Sequence, residues 1–156
     1  MGKTLIIVDV QPTFCEGGEL GVEGGNAVAE RIAKYVESHR GEYAYIATTQ
    51  DWHIEPGTHW SDNPDYVDTW PVHGKAGTAN AELHPAIAAL NITHHFKKGQ
   101  YSPSYSGFEG SEDNTDRIPH ERRSTRIWRR ARRLPMRCGR LASRAWTSSD
   151  WRNRIA

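Results

Sequence analysis

KTLIIVDV, residues 3 to 10, is the stretch that decides the fold. It is a short, nearly continuous run of apolar, largely β-branched side chains, the pattern of a strand buried on both faces of a parallel sheet. Asp9 interrupts the run. An acid at the carboxyl end of a buried strand is where open α/β sheets place their chemistry, and burying it there costs more than a cap or turn carboxylate would. A functional role is therefore expected of Asp9.

Working outward, residues 11 to 25 (QPTFCEGGELGVEGG) hold five glycines and a proline and read as a loop folded over the strand end. They contain neither GxGxxG nor GxxxxGK[ST], which excludes a nucleotide-phosphate cradle. Asn26 then stands as an N-cap; Ala27, Val28, Ile32, Ala33 and Val36 fall at helical spacing, and Gly41 sits at the C-cap position. Residues 42 to 49 (EYAYIATT) are a second strand. Strand, loop, helix, strand is a βαβ unit, and it delivers the end of the second strand to the same sheet edge as Asp9. Further on, residues 81 to 90 (AELHPAIAAL) read as a short helix and residues 92 to 97 (ITHHFK) as a third strand ending at Lys98-Gly99. A lysine at that strand end, beside an acid, holds a negative charge in place and depresses a neighbouring pKa. Alternation sends Lys97 and Lys98 to opposite faces, and spacing does not choose between them. GQYSPSYSGFEG, residues 99 to 110, reads as a loop at a pocket mouth.

Residues 49 to 73, TQDWHIEPGTHWSDNPDYVDTWPVH, carry the chemistry. In an extended strand Asp51 and His53 point the same way and Trp52 the other. Pro56-Gly57 turns the chain back so that His59 re-enters, and the Trp70-Pro71 step does the same for His73. Three nitrogens and one oxygen suit a borderline divalent ion (zinc, ferrous iron or manganese), and are too nitrogen-rich for calcium or magnesium. With no thiolate in the set, an open site that admits water or substrate is expected in place of a closed structural one.

The 156 residues, 37% apolar and 10% aromatic, fit one soluble domain. No apolar run is long enough to cross a bilayer and the N-terminus lacks a signal-peptide layout, so a cytoplasmic location is expected. Cys15 and Cys138 form no CxxC unit, which argues against a disulfide framework or thiolate metal site. The net charge of +1 hides a division: residues 1–113 hold 7 Lys+Arg against 16 Asp+Glu, net −9, while residues 114–156 hold 13 Arg against 3 acids, net +10. The later part shows no strand alternation. A helix over residues 127 to 134 would carry four charges in eight residues, the mark of a solvated face or disorder. A nucleic-acid role for this arginine-rich part is not expected, because the acidic remainder would repel the same phosphates.

The motifs IIVDVQ, FCEGG, ATTQDWH, PGTHW, WPVH, GT, KKGQY and YSGFEG together resemble the nicotinamidase/pyrazinamidase group of the isochorismatase-like hydrolases, over residues 4 to 110. The resemblance implies a three-layer α/β/α fold with a mainly parallel sheet, and hydrolysis of the small amide nicotinamide to nicotinate and ammonia in NAD salvage. It implies Asp9 as general base and Lys98 as catalytic lysine. It implies Asp51, His53, His59 and His73 as ligands of a divalent ion that binds the pyridine nitrogen, and Phe14, Trp70 and Tyr105 as walls of the ring pocket. Pro12-Thr13 departs from the Asn-Asp usual in the family. The nucleophile motif close to ATDHCV is also missing. Cys138 stands in PMRCGRL with no strand or Asp-His pair beside it, and Cys15 reads as a packing residue. Two expectations follow: an amidase of this type, or a metal-binding remnant that has lost catalysis. The abrupt change at residue 114 is that of an out-of-frame reading of a GC-rich gene, so an incomplete or disordered C-terminal part is expected.

Overall fold

The protein is described from a computed structural model, over residues 2–113. The arginine-rich part, the helix considered over residues 127–134 and Cys138 lie outside the described residues. Four strands form one sheet in the order β1-β2-β3-β4, where β1 is Lys3–Val8, β2 is Tyr43–Asp51, β3 is His94–Lys98 and β4 is Ser111–Glu112. The first three run parallel and β4 pairs antiparallel with β3, which makes the sheet mainly parallel, as the sequence implied.

Helix α1, Gly25–His39, follows β1 and turns Ala29, Ala33 and Val36 inward at spacings of four and three, one stripe of a helix. The short helix α2, Pro85–Ala88, adds Ile87. Ala33, Val36 and Ile87 meet Ile7 and Ile46 from the sheet, with Leu90 and Ile92, to make the core. Among the described residues one helical layer thus covers the sheet. The rest of the three-layer arrangement concerns residues outside them. No helix of the described residues is long and apolar enough to cross a membrane.

Several boundaries differ from the sequence reading, for local reasons. β1 stops at Val8 because Asp9 takes a left-handed backbone, φ +51°, a conformation open to Asp at modest cost. Asn26 does not cap α1. The cap position is Gly24 at φ +81°, and the Glu16 carboxylate reaches across from the loop to accept from the backbone N–H groups of Gly24 and Asn26. Nor is Gly41 the C-cap: that position falls to Arg40, whose guanidinium donates to the Leu90 and Asn91 carbonyls. The helix read over residues 81–90 is reduced to α2, since Pro85 occupies its first turn and residues 79–81 form a separate 3-10 turn. β4 lies just past the loop read over residues 99–110 and is too short to show alternation; His94 and Glu112, 2.8 Å apart, and Lys97 and Asp113, 2.6 Å apart, fasten it.

Ile87 is fully buried at the centre of this core. Ile87→Ala is expected to lower unfolding free energy by about 2–5 kcal/mol, from lost transfer energy plus the cavity, read as a lower urea midpoint at unchanged m.

Candidate metal centre and acid–lysine pair

Strand register brings the charged groups together. Asp51, last in β2, is the partner of Lys98, last in β3, and the Asp9 N–H donates to the Thr49 carbonyl at 3.1 Å. The Lys98 ammonium lies 3.3 Å from Asp9 Oδ2, pairs with Asp51 Oδ1 and donates to the Ser104 carbonyl at 3.4 Å. Lys97 faces the opposite way, 3.5 Å over the Trp52 ring and paired with Asp113. That settles which lysine meets the acids. Burial disfavours the Lys98 charge, but the Asp9 and Asp51 carboxylates outweigh it and raise the pKa above the usual lysine value. Burial likewise opposes ionisation of Asp51, yet His53 and the Lys98 charge outweigh it and hold that carboxyl well below the ordinary range. Asp9 goes the other way: burial dominates, and its pKa is raised in spite of Lys98 and of the Thr49 hydroxyl donating to it at 2.7 Å.

Beyond Asp51 the chain delivers the histidines in the manner the turns predict. His53 forms an isolated bridge with Lys75, His59 closes a 3-10 turn, Gly57–His59, and a bridge between Trp60 and Trp70 carries the chain back to His73. All three imidazoles are at most 3% exposed, and they offer ligand atoms within 4.8 Å of one another. Asp51 Oδ2 is 3.7 Å from Nε2 of both His53 and His73. The Gly99 carbonyl lies 2.6 Å from His53 Nδ1 and the Pro71 carbonyl 2.8 Å from His73 Nδ1. A carbonyl only accepts, so each Nδ1 carries the hydrogen and each Nε2 presents its lone pair to the shared point. His53 Nε2 and His59 Nδ1 are buried without a hydrogen-bond partner. Bare buried nitrogens of this kind are costly, and the clustered donors fit a borderline divalent cation.

The aromatic residues singled out in the sequence stand around this cluster. Phe14 is 6.3 Å from His73 and Tyr105 5.6 Å from His59, ring to ring, and Trp70 Nε1 donates to the Tyr105 hydroxyl at 3.3 Å. All nine candidate residues therefore fall at one end of the sheet. Others were missed. Gln11 is fully buried and imitates a strand neighbour of Asp51: its Oε1 accepts from the Asp51 N–H at 2.8 Å and its Nε2 donates to the Asp51 and Ala81 carbonyls at 2.9 and 2.6 Å. Gly74 and Gly99, at φ +51° and +70°, leave the room His53 occupies, and a Cβ on Gly99 would overlap its ring. A polar residue two places after Asp9 and a glycine directly after each of His73 and Lys98 were the signals available.

Fold and site together define an isochorismatase domain. The model of that family matches residues 3–126, past the change of charge at 113, and the chain belongs to the family. Over 112 residues it is 46% identical to a nicotinamidase/pyrazinamidase of Mycobacterium tuberculosis, covering 72% of this chain and 60% of that one. Among solved structures it resembles PnC1 from L. infantum in complex with nicotinate, at TM-score 0.57 and 34% identity, covering 72% of this chain and 55% of that one. It also resembles a pyrazinamidase of Pyrococcus horikoshii in complex with zinc, at TM-score 0.54 and 26% identity, covering 70% and 59%. The chain thus spans little more than half the length of these relatives.

Burial, and then the neighbouring imidazoles, push the His59 pKa from 6.5 down to about 4. Between those values the unfolded chain binds the proton and the folded one does not, so this residue subtracts stability as pH falls through the window. With metal removed by chelation, His59→Gln is expected to lose stability less steeply than the unaltered chain between pH 6.5 and about 4, measured as urea midpoint against pH.

Proposed function

We propose that the chain is a metal-dependent amidohydrolase of the nicotinamidase/pyrazinamidase type, acting on a small aromatic carboxamide and converting nicotinamide to nicotinate and ammonia in NAD salvage. The observation that carries this reading is the set of three buried histidines beside an acid–lysine pair, with Asp51 touching both. His53, His59, His73 and Asp51 would hold a divalent ion, zinc, iron or manganese. When bound, that ion supplies a Lewis acid for the pyridine nitrogen. Phe14, Trp70 and Tyr105 wall the ring. Asp9, its proton affinity raised by burial, is the general base, and Lys98 holds the two carboxylates in register while balancing their charge.

In this reading the nucleophile is a thiol. It gives its proton to Asp9 and attacks the carboxamide carbon, the C–N bond breaks, ammonia leaves with that proton, and water hydrolyses the thioester to release the acid. Cys15 is unsuited to the part, being buried, with burial and then Glu16 pushing its pKa up. The active-enzyme reading would need Cys138, the other cysteine of the chain, to take the part, although no strand or Asp-His pair stands beside it in the sequence. One observation favours a second reading, a remnant that binds metal and amide without turnover: the sequence has no segment like ATDHCV. With it goes the proposal that residues 1–113 are the hydrolase part and residues 114–156 an out-of-frame tail. The coding DNA would then yield such a segment in one of its other two frames, and finding it in neither discards the frameshift.

Metal content and ammonia release from nicotinamide, measured on one purified sample, separate the two readings. Asp51→Ala and His53→Ala are expected to lose bound metal. Asp9→Asn is expected to keep it while turnover falls by about 10²-fold or more. Turnover abolished by Cys138→Ala assigns the nucleophile; bound metal with no turnover in the unaltered chain selects the remnant.

A further inference from the structure

The loop that follows β1 hydrogen-bonds to the metal-ligand loop through a buried hydroxyl. Thr13 is fully buried, and its Oγ1 accepts from the Gly74 N–H at 3.2 Å, next in sequence to His73. A hydroxyl has one hydrogen to give, and here it goes to Glu19 Oε2 at 2.7 Å, a short bond to a carboxylate. The other carboxylate oxygen, Oε1, accepts from Asn80 Nδ2 at 2.9 Å. On the far side the Gly74 carbonyl accepts from the His53 N–H at 2.9 Å. The chain of bonds therefore runs in one direction, from the backbone between two of the histidines, through Thr13, to a carboxylate fixed by Asn80. Pro12-Thr13 is the place where the sequence departs from the Asn-Asp of the family it resembles, so position 13 offers a neutral hydroxyl and the nearby acid comes from position 19.

We propose that Glu19, acting through Thr13, is a positioning residue of the triple-histidine centre: it orients the hydroxyl that holds Gly74, and with it the relative placement of His53 and His73. This rests on the metal-centre reading above and adds a residue that contacts none of the ligands by hydrogen bond. Its carboxylate adds, by way of a hydroxyl relay, to the direct outer contacts that His53 and His73 make to the Gly99 and Pro71 carbonyls. Removing such outer partners weakens metal binding by about 10–100-fold.

Competitive chelator titration with zinc on the full chain tests this, with cobalt substituted for its visible ligand-field spectrum and thermal unfolding of the metal-free protein as control. Glu19→Ala and Thr13→Val are each expected to weaken zinc affinity at least about tenfold and to alter the cobalt spectrum. Thr13→Ser, which keeps the hydroxyl, is expected to stay within about twofold of the unaltered chain. Adding Glu19→Ala to Thr13→Val should cost little more, because the two act through one bond. Glu19 is exposed, so its truncation leaves the fold intact even if Thr13→Val does not. Unchanged affinity and spectrum in Glu19→Ala, or a loss confined to the melting temperature of the metal-free form, overturns the inference and leaves the metal centre standing. Full additivity of the two substitutions also overturns it. Absence of zinc binding by the unaltered chain overturns the metal centre, and this inference with it.

Discussion

A single ammonium group holds the working end of this sheet together. Lys98 is 4% exposed and sits between two carboxylates, Asp51 at the end of β2 and Asp9 just past the end of β1. None of the three charges is stable alone at that depth. A buried charge left without its partner costs several kcal/mol, whereas a well-bonded set is roughly neutral to stability. The cluster therefore contributes arrangement more than energy. It forces the tips of β1, β2 and β3 into one plane of chemistry, and everything after Asp51 is placed relative to it.

That constraint also divides the labour of the acids. Asp51 turns one oxygen to Lys98 and the other toward His53 and His73, and is kept ionised by both. Asp9 has a partner on only one side beyond its Thr49 hydrogen bond, and burial raises its proton affinity. Two carboxylates a few ångströms from one ammonium thus acquire different protonation behaviour from their surroundings alone, which is how one site can hold a permanent anion beside a proton acceptor. The left-handed backbone at Asp9 fits the same picture, since it turns the side chain out of the strand line toward Lys98.

Much of this was legible in the sequence, because the relevant signals are local. The apolar run broken by Asp9, the helical spacing that includes Ala33 and Val36, and the Asp-x-His pair with two sharp bends all constrain the backbone within a few residues, whereas Ala29, buried on the same stripe, was not singled out. The choice between Lys97 and Lys98 was not local: it depends on the strand register against β2, which no spacing encodes. Gln11 was passed over because a buried amide serving as a surrogate strand partner is indistinguishable in one dimension from an ordinary loop residue. The Asn26 cap failed for a related reason, since Glu16, ten positions earlier, supplied the acceptor that a cap side chain would have given. β4, two residues long, carries too little pattern for any periodicity to reveal.

The two glycines that flank His53 have a consequence for how this site can change over evolutionary time. Neither Gly74 nor Gly99 would contribute an atom to an ion's coordination sphere through a side chain, yet the imidazole lies in the space that any larger residue would need at Gly99, and the Asp51 side chain crowds the space at Gly74. Genetic drift at these codons is therefore blocked by the shape of a neighbour. A selection for chains that no longer retain metal would recover lesions at two residues with no side chain, as readily as at the histidines themselves.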